Sequence, residues 1–118
     1  MSLLSRLLRR PVATSPGWIE AEALSRQLAT GPAPVVVDVR GADEFTGPLG
    51  HIAGARNVPL PELSARLSEL TGHGGPLVLV CKTDRRSSAA AEQLRAAGAG
   101  DVAVLRGGME RWRALGLS

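Results

Sequence analysis

One cysteine, one lysine, one phenylalanine and no tyrosine occur in 118 residues. A single cysteine closes no internal disulfide and builds no multi-cysteine zinc site, so an oxidising compartment is not indicated and a cytoplasmic protein is expected. Any redox partner of Cys81 must come from outside the chain. The poverty in aromatics removes the stacking platforms on which bases are held. Long hydrophobic runs are missing too: "PVVVD" and "LVLVC" are the longest, against the roughly 20 apolar residues that span a bilayer, so no transmembrane segment is expected. Arginines interrupt and follow the leucines of "MSLLSRLLRR", and no apolar core or cleavage site comes next, so no signal peptide is read.

What is present suits one globular domain, with 44% apolar and 21% charged residues. The pI of 10.4 invites a nucleic-acid partner. The net charge is only +3, however, and Arg6, Arg9 and Arg10 supply it, leaving the remainder of the chain balanced. With no basic stripe interleaved with aromatics, no nucleic acid is expected as a partner. Leu3, Leu4, Leu7 and Leu8 share one helical face and Pro11 ends it. Residues 1–16 therefore read as a basic amphipathic tail that packs on the domain, packs on a second copy or rests on an anionic membrane, and residues 17–118 as the domain. Thirteen of the 14 basic residues are arginine, which sets Lys82 apart.

Periodicity divides the domain into alternating elements. Trp18 and Ile19 start a short strand, and Ala23, Leu24 and Leu28 predict a helix over 21–29. "PVVVDVR" reads as a strand buried on both faces and "ARNVPL" as a weaker one. "PELSARLSEL" has Pro61 at a helix start and Leu63, Leu67 and Leu70 on one face. "LVLV" is a second fully apolar strand, "SSAAAEQLRAAG" a helix capped by its serines and ended by Gly98, "DVAVL" a third strong strand and "GGMERWRALG" a closing helix. Strands without polar alternation, separated by helices, predict an α/β fold with a parallel sheet of about five strands and helices on both faces.

Cys81 falls at the carboxyl end of a predicted strand, where such sheets gather their ligand sites. Lys82, Arg85 and Arg86 crowd it, with Asp84 opposing them. Loop N–H groups and the start of the next helix converge there and favour a thiolate. A small buried hydrophobe beside a solvated charged loop is the alternative for any lone cysteine.

Four stretches in order, "VVVDVRGADEF", "GHIAGARNVPL", "VLVCKTDRRS" and "LRGGMERWRALG", resemble the rhodanese-like (sulfurtransferase) family from about Trp18 to Ser118. The chain departs from the commoner pattern in "FTGPLGHI", about two residues longer, and in lacking the glycine often found inside the cysteine loop. The resemblance implies a single rhodanese-like domain that needs no metal or cofactor. It implies that Cys81 takes a sulfane sulfur from a small anionic donor such as thiosulfate, holds it as a persulfide and passes it to cyanide or a thiol acceptor, small or protein-borne. Lys82, Thr83, Asp84, Arg85, Arg86 and Ser87 would surround the donor. A non-catalytic persulfide carrier or partner-docking module requires the same thiol. Cysteine-dependent phosphatases also place a cysteine in an anion-cradling loop, but have five residues before the arginine where this chain has four between Cys81 and Arg86, so phosphatase or arsenate reductase activity is disfavoured. A cysteine hydrolase would need His51 or His73. His51 is expected instead to hold a loop by hydrogen bonds, and His73 to be solvated. Asp38 and Arg40 read as a loop-ordering salt bridge, Phe45, Trp18 and Trp112 as core, and Gly107–Gly108 as a turn.

Overall fold

The computed structural model describes residues 17–118, and the tail expected over residues 1–16 lies outside them. In chain order the elements are β1 (Trp18–Ile19), α1 (Ala21–Thr30), β2 (Val35–Asp38), α2 (Ala42–Phe45), β3 (Arg56–Asn57), a 3₁₀ helix (Leu60–Arg66), α3 (Leu67–Thr71), β4 (Leu77–Val80), α4 (Arg85–Ala96), β5 (Val102–Leu105) and α5 (Gly108–Ala114). The strands form one sheet in the order β1-β5-β4-β2-β3, and every pair is parallel. This is the predicted α/β fold.

Alternation along the central strands sorts the core into two layers. Val37, Val39, Leu77, Leu79, Val102 and Val104 pack with Leu63, Leu70, Ala90, Ala91 and Leu94 on the α3 and α4 side. Val36, Val78, Val80, Ala103 and Leu105 pack with Leu24, Met109 and Trp112 on the α1 and α5 side. Both layers are apolar, which is why "VVV" and "LVLV" carry no polar alternation. In the register, Val37 faces Leu79 and Asp38 faces Val80, so β2 and β4 end level with one another. The segments that leave them therefore emerge side by side on one edge of the sheet.

Two local features in the first half of the domain depart from the predicted elements. The helix expected over "PELSARLSEL" opens as a 3₁₀ helix and turns α-helical only at Leu67. Pro61 has no N–H to give, and the Glu62 N–H returns to the Pro59 carbonyl at 2.8 Å, a three-residue closure that tightens the turn. The unpredicted one-turn α2 is preceded by Gly41 at the cap position, whose N–H donates to the Glu44 carboxylate at 3.1 Å.

Candidate active site

The parity of β4 decides where the thiol goes. Leu77 and Leu79 face α4, and Cys81 continues that row into the same layer, 1% exposed, beneath Ala90 and Ala91. Small alanines at these positions let α4 lie close over the end of the strand. Ser87, itself fully buried, brings its Oγ to 3.1 Å from the Cys81 Sγ and 3.2 Å from the Asp84 carbonyl. A hydroxyl has one proton. It bonds the carbonyl while accepting from a thiol, or turns to donate to a thiolate.

The helix begins at Arg85, two residues before the predicted start, so Ser87 and Ser88 lie inside it and do not cap it. Asp84 occupies the cap position without a side-chain cap bond, because its carboxylate accepts the Gly107 N–H at 2.7 Å instead. That bond belongs to a clamp. The N–H groups of Met109 and Glu110 donate to the carbonyls of Cys81 and Lys82 at 2.9 and 3.1 Å. A trans peptide points its N–H away from its carbonyl, so the Lys82 and Thr83 N–H groups face away from α5. Among the described residues no N–H from Lys82 to Ser87 has a backbone acceptor. Six successive donors thus line a loop with a sulfur at its base, an arrangement suited to an anion. Gly107–Gly108, expected as a turn, is also the hinge of this clamp. Gly108 adopts φ +54, and a Cβ there would lie 2.4–2.6 Å from the carbonyl oxygens of Cys81, Lys82 and Thr83.

The cations around the loop are mostly engaged. Arg86 forms a two-pronged pair with Glu44, Nη1 to Oε1 at 2.7 Å and Nη2 to Oε2 at 2.9 Å. The hydrogen bonds from Arg86 hold the Glu44 carboxyl down to about 2, and Glu44 in turn raises Arg86 above its ordinary value, helped by Cys81 and Asp38 across space. Lys82 lies 3.8 Å from Glu110, both exposed. Of the three, Arg85 alone has no carboxylate partner among the described residues. Thr83 and Arg85 are exposed at the rim. Glu44 is the site residue that the sequence reading missed; it stands in the quoted "GADEF", but nothing in its local spacing says that it crosses to Arg86.

Comparison with known proteins decides the family. The model for the rhodanese-like domain matches residues 20–115. The chain belongs to the rhodanese-like family. It is 42% identical to YqhL of Bacillus subtilis over 77 residues, 65% of this chain and 59% of that protein, so it spans about three fifths of that relative's length. It is 38% identical to the thiosulfate sulfurtransferase GlpE of Pseudomonas fluorescens over 96 residues, 80% of this chain and 79% of that one. The rhodanese-like domain of the Anabaena protein Alr3790 superposes with a TM-score of 0.76 at 31% identity, covering 86% of this chain and 76% of that one.

Around the loop, the rhodanese-like domain is braced by buried polar groups. Asp38 and Arg40, each about 1% exposed, form the expected salt bridge at 2.7 Å. Arg40 also donates to the carbonyls of Glu44 and Gly50 at 3.1 and 2.7 Å, and Asn57 Nδ2 donates to the carbonyls of Asp38 and Arg40 at 3.0 and 2.9 Å. The residues that lengthen "FTGPLGHI" close a turn, with the Gly50 N–H on the Gly47 carbonyl at 2.9 Å, and Arg40 grips it from inside. His51 holds this loop as expected: Nδ1 donates to the Phe45 carbonyl at 2.8 Å and its ring stacks on Phe45 at 3.7 Å. His73 is exposed. Trp112 is core, whereas Trp18 is half-buried with Arg106 over its ring. A groove of about 560 Å³ lined by Leu28, Pro34, Ile52 and Trp112 lies toward the amino ends of the strands, away from Cys81. Among the described residues no three His, Cys, Asp or Glu side chains gather as a metal would need, and no helix is long and apolar enough to cross a membrane.

Proposed function

We propose that this domain is a sulfurtransferase that carries sulfane sulfur as a persulfide on Cys81. The observation that carries the reading is the row of N–H groups from Lys82 to Ser87, without backbone acceptors among the described residues, in the loop that follows a buried thiol. Its likeness to GlpE supports the same chemistry. The Cys81 thiolate attacks the outer sulfur of a donor such as thiosulfate, the donor's S–S bond breaks, and sulfite leaves with the bonding pair. The product is Cys81–S–S⁻, whose terminal charge the loop donors hold as an oxyanion hole holds oxygen. A thiolate acceptor, small or on a protein, or cyanide then attacks the outer sulfur and returns Cys81 as thiolate. Arg85 is the cation free to meet the donor, Thr83 and Ser87 offer hydroxyls, and Ser87 turns its proton toward the ionised sulfur.

The loop's length speaks against phosphoryl chemistry. Four residues separate Cys81 from Arg86, and Arg86 is occupied by Glu44, so no guanidinium is aimed to wrap three equatorial oxygens. The test is intact mass after incubation with thiosulfate. A gain of one sulfur atom, removed by a reducing thiol and absent in Cys81→Ser, is expected. Repeated thiocyanate release with cyanide marks a turnover enzyme, and loading without turnover marks a carrier. Cys81-dependent hydrolysis of p-nitrophenyl phosphate with no sulfur uptake would sink the proposal.

A further inference from the structure

Resting on the persulfide reading of Cys81, we propose that Glu44 sets the donor charge this site accepts, favouring organosulfur donors with one negative charge, such as thiosulfonates and alkyl persulfides, over the thiosulfate dianion. The loop's sequence looks strongly cationic, but the folded loop is not. Glu44 crosses from α2 to neutralise Arg86 through two short bonds. Glu110 stands against Lys82. Asp84, tied to the Gly107 N–H, places a further carboxylate on the loop itself. What attracts an anion here is the row of backbone dipoles, suited to a single terminal sulfur charge, with Arg85 the one loop cation unpaired among the described residues, at the exposed rim, and Arg86 withheld by Glu44. With Cys81 buried beneath the loop, the second charge of a dianion would lie at the half-exposed rim, where the Glu44 carboxylate cancels the Arg86 charge that would otherwise meet it.

Thiosulfate and methanethiosulfonate separate the two requirements, because both present a terminal sulfur bonded to an oxidised sulfur and differ by one charge. Attack by Cys81 on methanethiosulfonate breaks its S–S bond, releases methanesulfinate with the bonding pair and leaves the same persulfide. The ratio of kcat/KM for thiosulfate to that for methanethiosulfonate is the readout. Glu44→Gln should raise this ratio about five-fold, the effect of one charge acting through a partly solvated rim. Added salt should shrink the difference between native protein and variant. Glu44→Asp, which keeps the charge and shortens the arm, should keep the native ratio and so excludes a merely structural effect. A ratio unchanged in Glu44→Gln, or shifted equally in Glu44→Asp, overturns the proposal while leaving the persulfide chemistry standing. Failure of both donors to load Cys81 overturns the functional reading and this proposal together.

Discussion

Replacing Gly108 by alanine puts the clamp between α5 and the cysteine loop under a measurable load. At φ +54 an alanine sits in the left-handed region, which costs about 1–2 kcal/mol. Its Cβ would also lie 2.4, 2.6 and 2.5 Å from the carbonyl oxygens of Cys81, Lys82 and Thr83, all of them backbone atoms without a soft way out. The helix must retreat, and the bonds from Met109 and Glu110 to those carbonyls lengthen. Each is worth about 1 kcal/mol net, so Gly108→Ala should cost about 3–4 kcal/mol in all. Gly98→Ala is the matched control: φ is +102, but nothing lies within 4 Å, so only the conformational term of about 1–2 kcal/mol applies. Urea titration followed by tryptophan fluorescence should separate the two variants by about 1 M in midpoint. In the folded Gly108→Ala protein, sulfur loading of Cys81 should slow on the order of 100-fold, since the loop donors move with the carbonyls they share peptides with. Equal midpoints for the two variants, or native loading by Gly108→Ala, would show that the clamp does not set the loop.

Other perturbations read different parts of the site. Glu44 is about 2 in the folded protein against 4.5 ordinarily, so its pairing with Arg86 stabilises at neutral pH and is lost as pH falls from about 4.5 to about 2. With the side chain 35% exposed, about 1 kcal/mol remains after solvent screening; urea stability against pH should show a shallower acid limb in Glu44→Gln, and parallel curves would refute the linkage. Arg40→Met should cost about 3–5 kcal/mol by leaving Asp38 buried and unpaired, and adding Asp38→Asn should recover part of it in the same titration. Ser87→Ala should slow loading about ten-fold at neutral pH while changing stability little, because it removes the hydroxyl that lies 3.1 Å from the sulfur; unchanged loading would take Ser87 out of the mechanism.

Much of this architecture is readable along the chain because it is local. Val35–Val37 and Leu77–Val80 announce buried parallel strands, and the strand-to-helix junction after Val80 places Cys81 at a ligand-binding edge. The serines mislead for an equally physical reason. Serine is a strong cap residue, but the cap position falls at Asp84, three residues before Ser87, and Ser87 lies against the sulfur instead. Glu44 with Arg86, 42 residues apart, and Asp84 with Gly107, 23 apart, are contacts that only the sheet order creates. The charge balance of the loop, as opposed to its charge content, is therefore a tertiary property, and no window of sequence contains it.

The clamp also imposes an order of events on the making of this protein. Strand β5 lies between β1 and β4, and the N–H groups that hold the loop belong to Gly107, on the Asp84 carboxylate, and to Met109 and Glu110, on the carbonyls of Cys81 and Lys82. On a ribosome, Cys81 leaves the exit tunnel more than twenty residues before those groups do. During that interval β4 has no β5 beside it, and nothing turns the loop's peptides inward. The nascent chain thus carries Cys81 at the end of a strand that still lacks one neighbour, and the clamped shape of its loop arrives only when α5 docks. A chain that stalls or is cut before residue 107 lacks the clamp, so a cysteine loop held in this shape marks a domain whose carboxyl-terminal helix has docked.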